Sequence, residues 1–126
     1  MIDPNEQKLK VWVDALLAAT VRELTDNQLV AGALIEAKPA WFFPLRILIG
    51  KIREQGEVTA YSWFISGDLP TAIADSSVAE TPREAARYFA LRWQLNAARG
   101  GDRAEELAAE AENLYRLVDQ DELWQN

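Results

Sequence analysis

Apolar residues recur every three to four positions in three stretches of the chain, which is the spacing of one face of an α-helix. We predict a first helix that ends at about Leu24, a second over residues 82–99 and a third over residues 103–123. The apolar positions are Leu9, Trp12, Val13, Leu16, Leu17 and Leu24 in the first stretch, Ala86, Phe89, Ala90, Trp93 and Ala97 in the second, and Leu107, Ala111, Leu114 and Val118 in the third.

Each predicted helix follows a capping box, in which an N-cap acceptor is followed three residues later by a carboxylate. The pairs are Asp3 with Glu6, Thr81 with Glu84, and Asp102 with Glu105. Pro4 and Pro82 occupy first helical positions, where a missing N–H costs nothing. Gly100 and Gly101 are expected to end the second helix.

Residues 57–66 are predicted to form a strand that ends at the turn sequence Gly67-Asp68-Leu69-Pro70. Alternate positions then face opposite sides of a sheet. We expect Tyr61, Trp63 and Ile65 on one face and Val58, Ala60 and Phe64 on the other. Because both faces are apolar, the strand should be covered on both sides.

Residues 45–54 fit two structures. Leu45, Leu48, Ile49 and Ile52 follow helical spacing between Pro44 and Gly56, and Lys51 and Arg53 would complement the negative end of a helix dipole. The run Ile47-Leu48-Ile49 and a turn at Gly56 would instead suit a strand. We favour the helix. Residues 29–36 could pair with the predicted strand or form a further short helix.

These patterns predict an α+β fold that is mostly helical. Four to five helices would pack on a small sheet centred on strand 57–66. At 126 residues the chain has room for one domain, which would span residues 1–126.

Composition excludes several function classes. The chain has no histidine and no cysteine, so Ser–His–Asp, Cys–His and zinc-thiolate chemistry cannot occur within it, and we expect no cofactor or metal. Its net charge of −7 (13 basic and 20 acidic residues) opposes nucleic-acid binding. It has no run of apolar residues long enough to cross a membrane and begins without a signal-peptide pattern, so we expect a cytoplasmic protein.

Three motifs carry a resemblance to a known family. They are PAW at residues 39–41, WFISGDLPT at 63–71, and PREA at 82–85 followed by RW at 92–93. Together they resemble a family of small, uncharacterised bacterial proteins. That family's pattern is similar but places a histidine after PAW and an acid after GDLPT, where this chain has Phe42 and Ala72. If members of the family have chemistry at these two positions, this chain is not expected to retain it. Because the family is uncharacterised, the resemblance implies no known activity.

Five residues are candidate ligand-binding positions: Trp41, Trp63, Asp68, Arg83 and Trp93. The three tryptophans could line a pocket with Asp68 at its mouth, although large rings in an alanine-rich chain more often fill the core. For Asp68 we favour a structural role, in which it holds its own turn through backbone hydrogen bonds. Arg83 could bind an anion at the helix start, or pair with Glu80, Glu84 or Asp68. No residue is assigned a catalytic role.

Two functions from different classes fit these observations. The first is a non-catalytic protein-interaction or accessory module that acts through an acidic, aromatic-rich surface, as a homodimer or with a basic protein partner. The second is a small-molecule-binding protein or carboxylate-based enzyme with an aromatic pocket near Asp68. We favour the first, because the sequence lacks the usual catalytic residues.

Overall fold

The computed structural model describes residues 3–28, 35–54 and 61–125 of the chain. These ranges contain three α-helices and one four-stranded sheet. The helices are α1 (Pro4–Asp26), α2 (Pro82–Ala98) and α3 (Ala104–Val118), and the strands are β1 (Ile35–Phe43), β2 (Ile47–Glu54), β3 (Ser62–Gly67) and β4 (Ala72–Ala74). Two single turns of 3₁₀-helix cover Ser76–Val78 and Asp121–Leu123. The α+β class is confirmed, whereas the count of four to five helices is wrong, since the described residues form three α-helices.

The sheet is antiparallel and follows chain order, β1-β2-β3-β4. Ile49 in β2 lies opposite Trp41 of β1 on one side and Ile65 of β3 on the other. The register of β1 shifts between Pro39 and Trp41, where one residue bulges out. A proline and a bulge are both common in edge strands, where they discourage pairing with another chain.

The helix favoured for residues 45–54 is wrong, because this segment holds the central strand β2. Leu48 and Ile52 are buried against α1, while Ile47 and Ile49 are buried on the opposite face. A strand covered on both faces is apolar at successive positions, and such a run also matches helical spacing. The backbone hydrogen bonds of β2 to the two neighbouring strands favour the strand over the helix. The periodicity of residues 45–54 alone cannot predict those hydrogen bonds.

The strand predicted at residues 57–66 is confirmed from Ser62 onward, as β3, which ends at Gly67, whereas Tyr61 lies just before it. Both of its faces are covered, since Trp63, Phe64 and Ile65 are all at most 3% exposed. Val58, Ala60 and Gly56 lie outside the described residues, as do residues 29–34. Residues 35 and 36 belong to β1 and pair with β2.

By their internal packing the residues fall into two compact units, Met1–Ser76 and Ser77–Asn126. A single domain over residues 1–126 stays a prediction. In the first unit α1 covers one face of the sheet, where four side chains form a buried cluster: Leu24, Leu48, Ile52 and Phe64. The buried hydroxyl of Thr20 donates to the carbonyl oxygen of Leu16 at 2.7 Å and lies 2.9 Å from the Ser66 hydroxyl, so both buried polar groups have partners.

In the second unit α2 packs along α3 through the apolar faces predicted for these helices. Their buried residues are Ala85, Ala86, Phe89, Ala90 and Trp93 on α2, and Ala111, Leu114 and Val118 on α3. None of the described helices is long and apolar enough to cross a membrane.

Two of the three predicted N-caps are confirmed. Asp3 accepts a hydrogen bond from the backbone N–H of Asn5, and Thr81 accepts one from that of Glu84. The Glu84 carboxylate in turn accepts from the backbone N–H of Glu80. The third prediction is wrong, because α3 begins one residue later than expected and its N-cap, Arg103, makes no side-chain cap bond.

Candidate functional site

The sheet face opposite α1 carries charged and aromatic side chains on three neighbouring strands. Strand alternation and the register place them together: Glu36 lies opposite Arg53, Lys38 opposite Lys51, and Lys51 opposite Trp63. Tyr61 directly precedes β3 and shares the side of Trp63. We call this set the basic–aromatic cluster, and its members are Glu36, Lys38, Lys51, Arg53, Tyr61 and Trp63.

Three members of the basic–aromatic cluster form a hydrogen-bonded network. The Nε of Arg53 donates to an oxygen of Glu36 at 2.8 Å, and the hydroxyl of Tyr61 donates to the same oxygen at 3.0 Å. The Arg53 guanidinium also stacks over the Tyr61 ring, 4.1 Å from its centroid. These contacts fix the carboxylate, the guanidinium and the phenol relative to one another.

The network sets the protonation of its members. The hydrogen bond from Arg53, followed by the one from Tyr61, lowers the pKa of Glu36 below its ordinary value. The pKa of Tyr61 is raised, chiefly because its hydroxyl donates to the Glu36 carboxylate, and that of Arg53 is raised by the same carboxylate. At neutral pH the cluster therefore holds an ionised Glu36–Arg53 pair and a neutral phenol.

Two lysines complete the cluster. The ammonium nitrogen of Lys38 lies 4.4 Å from the centroid of the Tyr61 ring, and that of Lys51 lies 4.9 Å from the centroid of the Trp63 ring. Cation–π contacts of this kind attract a cation to the face of a ring. With three cations and one carboxylate, the cluster has a formal charge of +2 in a chain whose net charge is −7.

The sequence-predicted candidates Trp41 and Trp63 lie on this same sheet face, Trp41 half-buried and Trp63 buried at 3% exposure. Asp68 lies in the turn after β3. Its carboxylate bonds to the Nε of Arg46 at 3.2 Å, and its backbone N–H donates to the Arg46 carbonyl at 2.7 Å. Both side chains of this ion pair are at least 60% exposed, so the carboxylate holds a surface turn.

The other two candidates, Arg83 and Trp93, belong to the second unit. Arg83 donates from Nε to the carbonyl oxygen of Val118 at 2.9 Å and from Nη2 to Asp121 at 2.6 Å. The predicted pairing with Glu80, Glu84 or Asp68 is wrong, because the end of α3 offers Arg83 both an uncapped carbonyl and a carboxylate. Trp93 is 4% exposed and stacks on Phe89, with ring centroids 6.4 Å apart.

A second notable surface lies where α1 begins beside the turn between β1 and β2. A shallow groove of about 310 Å³ is lined by Asn5, Lys8, Leu9, Pro44 and Leu45. Phe42 is 38% exposed and packs edge-on against Trp12, with ring centroids 6.5 Å apart. We call Leu9, Phe42, Pro44 and Leu45 the α1–hairpin surface. Leu45 is 45% exposed and adopts a positive φ of 63°.

A neighbouring groove of about 450 Å³ is lined by Glu6, Gln7, Lys10, Val11 and Asp14. Neither groove is lined by Asp68 or by a tryptophan. Among the residues that the structure describes, no three acidic side chains are grouped so that they could hold a metal ion.

Of the six residues in the basic–aromatic cluster, only Trp63 is among the five candidates predicted from the sequence. The other five residues of the cluster are missed. The missed signal is an alternation of charged or aromatic residues with period two, at Glu36/Lys38, Lys51/Arg53 and Tyr61/Trp63. It becomes visible only if all three segments are interpreted as strands of one sheet.

The described residues thus define a small α+β protein with a four-stranded antiparallel sheet, a helical hairpin and a mixed basic and aromatic surface. Residues 6–124 match the family model of a domain of unknown function, DUF4826, and the chain belongs to that family. This confirms the resemblance to an uncharacterised family. No curated protein and no solved structure gives a significant match.

Proposed function

We propose that this chain is a non-catalytic protein-interaction or accessory module that binds a basic protein partner through the α1–hairpin surface. The observation that carries this proposal is the backbone of Leu45. A non-glycine residue in the left-handed region costs roughly 1–2 kcal/mol, whereas glycine adopts it readily. The Leu45 residue is 45% exposed, so only about half of its surface is buried to offset that cost.

Leu45 follows Pro44 in a turn closed by a hydrogen bond from the Arg46 N–H to the Phe43 carbonyl at 3.0 Å, and this turn type requires a positive φ at the position of Leu45. Glycine or asparagine usually fills that position, so a leucine there is a strained choice of the kind that clusters at binding sites. Here it projects an apolar side chain beside a groove, next to the partly exposed ring of Phe42. Contiguous exposed apolar residues are common at protein–protein contacts. A partner that covered Leu45 and Phe42 would supply the burial that the isolated chain lacks.

The net charge of the whole chain favours a basic partner over a second copy of the chain, while the groove itself is lined by one cation, Lys8. Two copies with a net charge of −7 each repel one another, whereas a basic protein is attracted at long range. The homodimer prediction depended on apolar residues on both faces of one strand. In β3 those faces are buried within a single chain, at Trp63, Phe64 and Ile65, so a second copy is not needed to cover them.

The alternative, a small-molecule-binding protein or carboxylate-based enzyme with a pocket near Asp68, has less support. The Asp68 carboxylate is 60% exposed and paired with Arg46, whereas general acid–base work by a carboxylate usually depends on burial that shifts its pKa. The absence of histidine and cysteine from the sequence also favours a binding role.

The test compares tagged wild-type chain with the variant Leu45→Gly in pull-downs from an extract of the natural host, at low and high salt. Leu45→Gly removes the side chain and the strain together, so it should unfold no earlier than wild type. The matched control is Leu91→Ala on α2, since Leu91 is 44% exposed.

We expect a stoichiometric basic partner that binds wild type and Leu91→Ala, is released by high salt, and is lost with Leu45→Gly. Equal capture by Leu45→Gly, capture of a second copy of the chain only, or no stoichiometric partner at low salt would each contradict the proposal.

A further inference from the structure

We propose that the basic–aromatic cluster is a second binding site, which takes a phosphate dianion between Lys38 and Lys51. The phosphate could be free or the end group of a small phosphomonoester. This site is separate from the α1–hairpin surface, and the inference does not depend on the proposed partner.

The first argument is electrostatic. Lys38 and Lys51 lie directly opposite each other on adjacent strands, where like charges are destabilising. The carboxylate that could offset them, Glu36, is already bonded to Arg53 and Tyr61. The described strands β3 and β4 contain no charged residue. Among the described residues neither lysine forms an ion pair with a carboxylate, and Lys38 is offset only by the longer-range charge of Glu36. The face therefore carries an excess of positive charge, which a dianion would match.

The second argument is hydrogen bonding. Each lysine ammonium has three N–H donors and no acceptor. Over the described part of the chain, Lys38 and Lys51 contact an aromatic ring face and form no hydrogen bond or ion pair. Their remaining donors are available to phosphate oxygens, which accept several hydrogen bonds at once. Lysine binds phosphate in this way, as a point charge.

The third argument is preorganisation. The ring of Tyr61 lies under Lys38 and the buried ring of Trp63 lies under Lys51. Side chains held in this way lose less conformational freedom when a ligand binds. The Glu36–Arg53–Tyr61 network fixes the Tyr61 ring, and the raised pKa of Tyr61 keeps its hydroxyl neutral, so it does not repel an anion.

The contacts also allow a purely structural role, in which the lysines only clamp neighbouring strands through their aromatic partners. The two roles differ in what a lysine substitution changes. If the role is structural, the substitution lowers the melting temperature by the same amount in every buffer. If the lysine binds phosphate, the substitution reduces the gain in melting temperature that phosphate gives over chloride.

The experiment measures thermal unfolding and calorimetric binding of the full chain with inorganic phosphate, with phenyl phosphate and with sodium chloride at equal ionic strength. A ligand that binds only the folded state raises the melting temperature. The variants are Lys38→Ala and Lys51→Ala, and the matched controls are Lys8→Ala and Lys10→Ala, which remove exposed lysines of α1.

We expect phosphate to stabilise wild type and both controls more than chloride does. Lys38→Ala and Lys51→Ala should each weaken phosphate binding by about tenfold or more, since each removes one of two charge-assisted contacts. Tighter binding of phenyl phosphate than of inorganic phosphate would identify a phosphomonoester as the ligand class, and the reverse order would identify free phosphate.

If Lys51→Ala fails to fold, Lys38→Ala decides the question, because the Lys38 side chain is exposed and its removal leaves the core intact. An equal response to phosphate and chloride, or unchanged phosphate binding by Lys38→Ala, would refute the proposal. Leu45→Gly should bind phosphate like wild type, so failure of this site and failure of the partner surface are distinguishable.

Discussion

Substitution of Gly50 by alanine tests whether residues 45–54 form a strand or a helix. The change in the free energy of unfolding should be a loss in a strand and a gain in an exposed helix. Gly50 is buried in the middle of β2, opposite Pro39 and Phe64. A Cβ atom placed there would clash with the carbonyl oxygen of Lys38 and would lie 2.5 Å from two carbons of the Phe64 ring. Real Cβ atoms essentially never approach a neighbour more closely than 3.0 Å, so either the β1 backbone or the ring must move.

The size of the effect follows from these two contacts. Overpacking of this kind costs typically 1–3 kcal/mol, and here one of the obstacles is backbone that is held in a ladder. Against that, replacing glycine restricts the unfolded chain and returns roughly 0.4–1 kcal/mol. We therefore expect Gly50→Ala to lower the free energy of unfolding by about 2 kcal/mol, or the melting temperature by roughly 5–10 °C. In an exposed helix the same change would instead stabilise by about 1 kcal/mol.

The assay is urea unfolding followed by tryptophan fluorescence, with thermal unfolding by circular dichroism as a second measurement. Gly101→Ala is the control, because a Cβ there meets nothing within 4 Å and only its φ of 105° opposes the change. It should cost about 1 kcal/mol. In a Phe64→Leu background the Gly50→Ala penalty should shrink without vanishing, because the clash with Lys38 remains. A Gly50→Ala variant at least as stable as wild type would refute the reasoning.

Three further substitutions test the buried ring of Trp63, the ion pair of Asp68 and the hydrogen-bonded carboxylate of Glu36. Trp63→Ala should lower the free energy of unfolding by about 3–5 kcal/mol in urea titrations, since the ring is 3% exposed; an unchanged value would place the ring on the surface. Asp68→Asn should cost less than about 1 kcal/mol, because its ion pair with Arg46 is exposed; a larger loss would mean that Asp68 has a buried role. Glu36→Gln should destabilise the chain at pH 7 but progressively less in acid. The folded pKa of Glu36 lies below its ordinary value of 4.5, so the stabilisation by its carboxylate is present above pH 4.5 and is lost as the pH falls through the folded pKa. A Glu36→Gln effect that does not change between pH 7 and pH 3 would contradict this.

The sequence predicts the helices well because their information is local. Pro82 and Thr81 mark the start of α2, and the apolar face that includes Phe89 and Trp93 is the one the helix buries. Each of these signals acts within one or two turns of chain. The exact first residue of a helix is predicted less well, since α3 begins one residue after the position that its capping box indicates.

Side-chain partners are poorly predicted because they depend on which elements meet. The sequence predicts that Arg83 pairs with Glu80, Glu84 or Asp68, yet it bonds to Val118 and Asp121. Asp68 bonds instead to Arg46, twenty-two residues earlier in the chain. The chain has 20 acidic and 13 basic residues, so each arginine has many possible carboxylate partners. The sequence alone does not predict which of these residues will be neighbours in the fold.

The basic–aromatic cluster is not predicted from the sequence, chiefly because residues 45–54 are assigned to a helix. In the helical interpretation of residues 45–54, Lys51 and Arg53 are two cations near the end of a helix, where they complement the helix dipole and their charge needs no further explanation. In β2 the same two residues point to one face of the sheet, two positions apart, beside Lys38 and Tyr61. Their charges then gather on a small surface instead of being spread around a helix end. The basic–aromatic cluster is thus a consequence of strand periodicity, and the Gly50→Ala test of β2 is at the same time a test of this cluster.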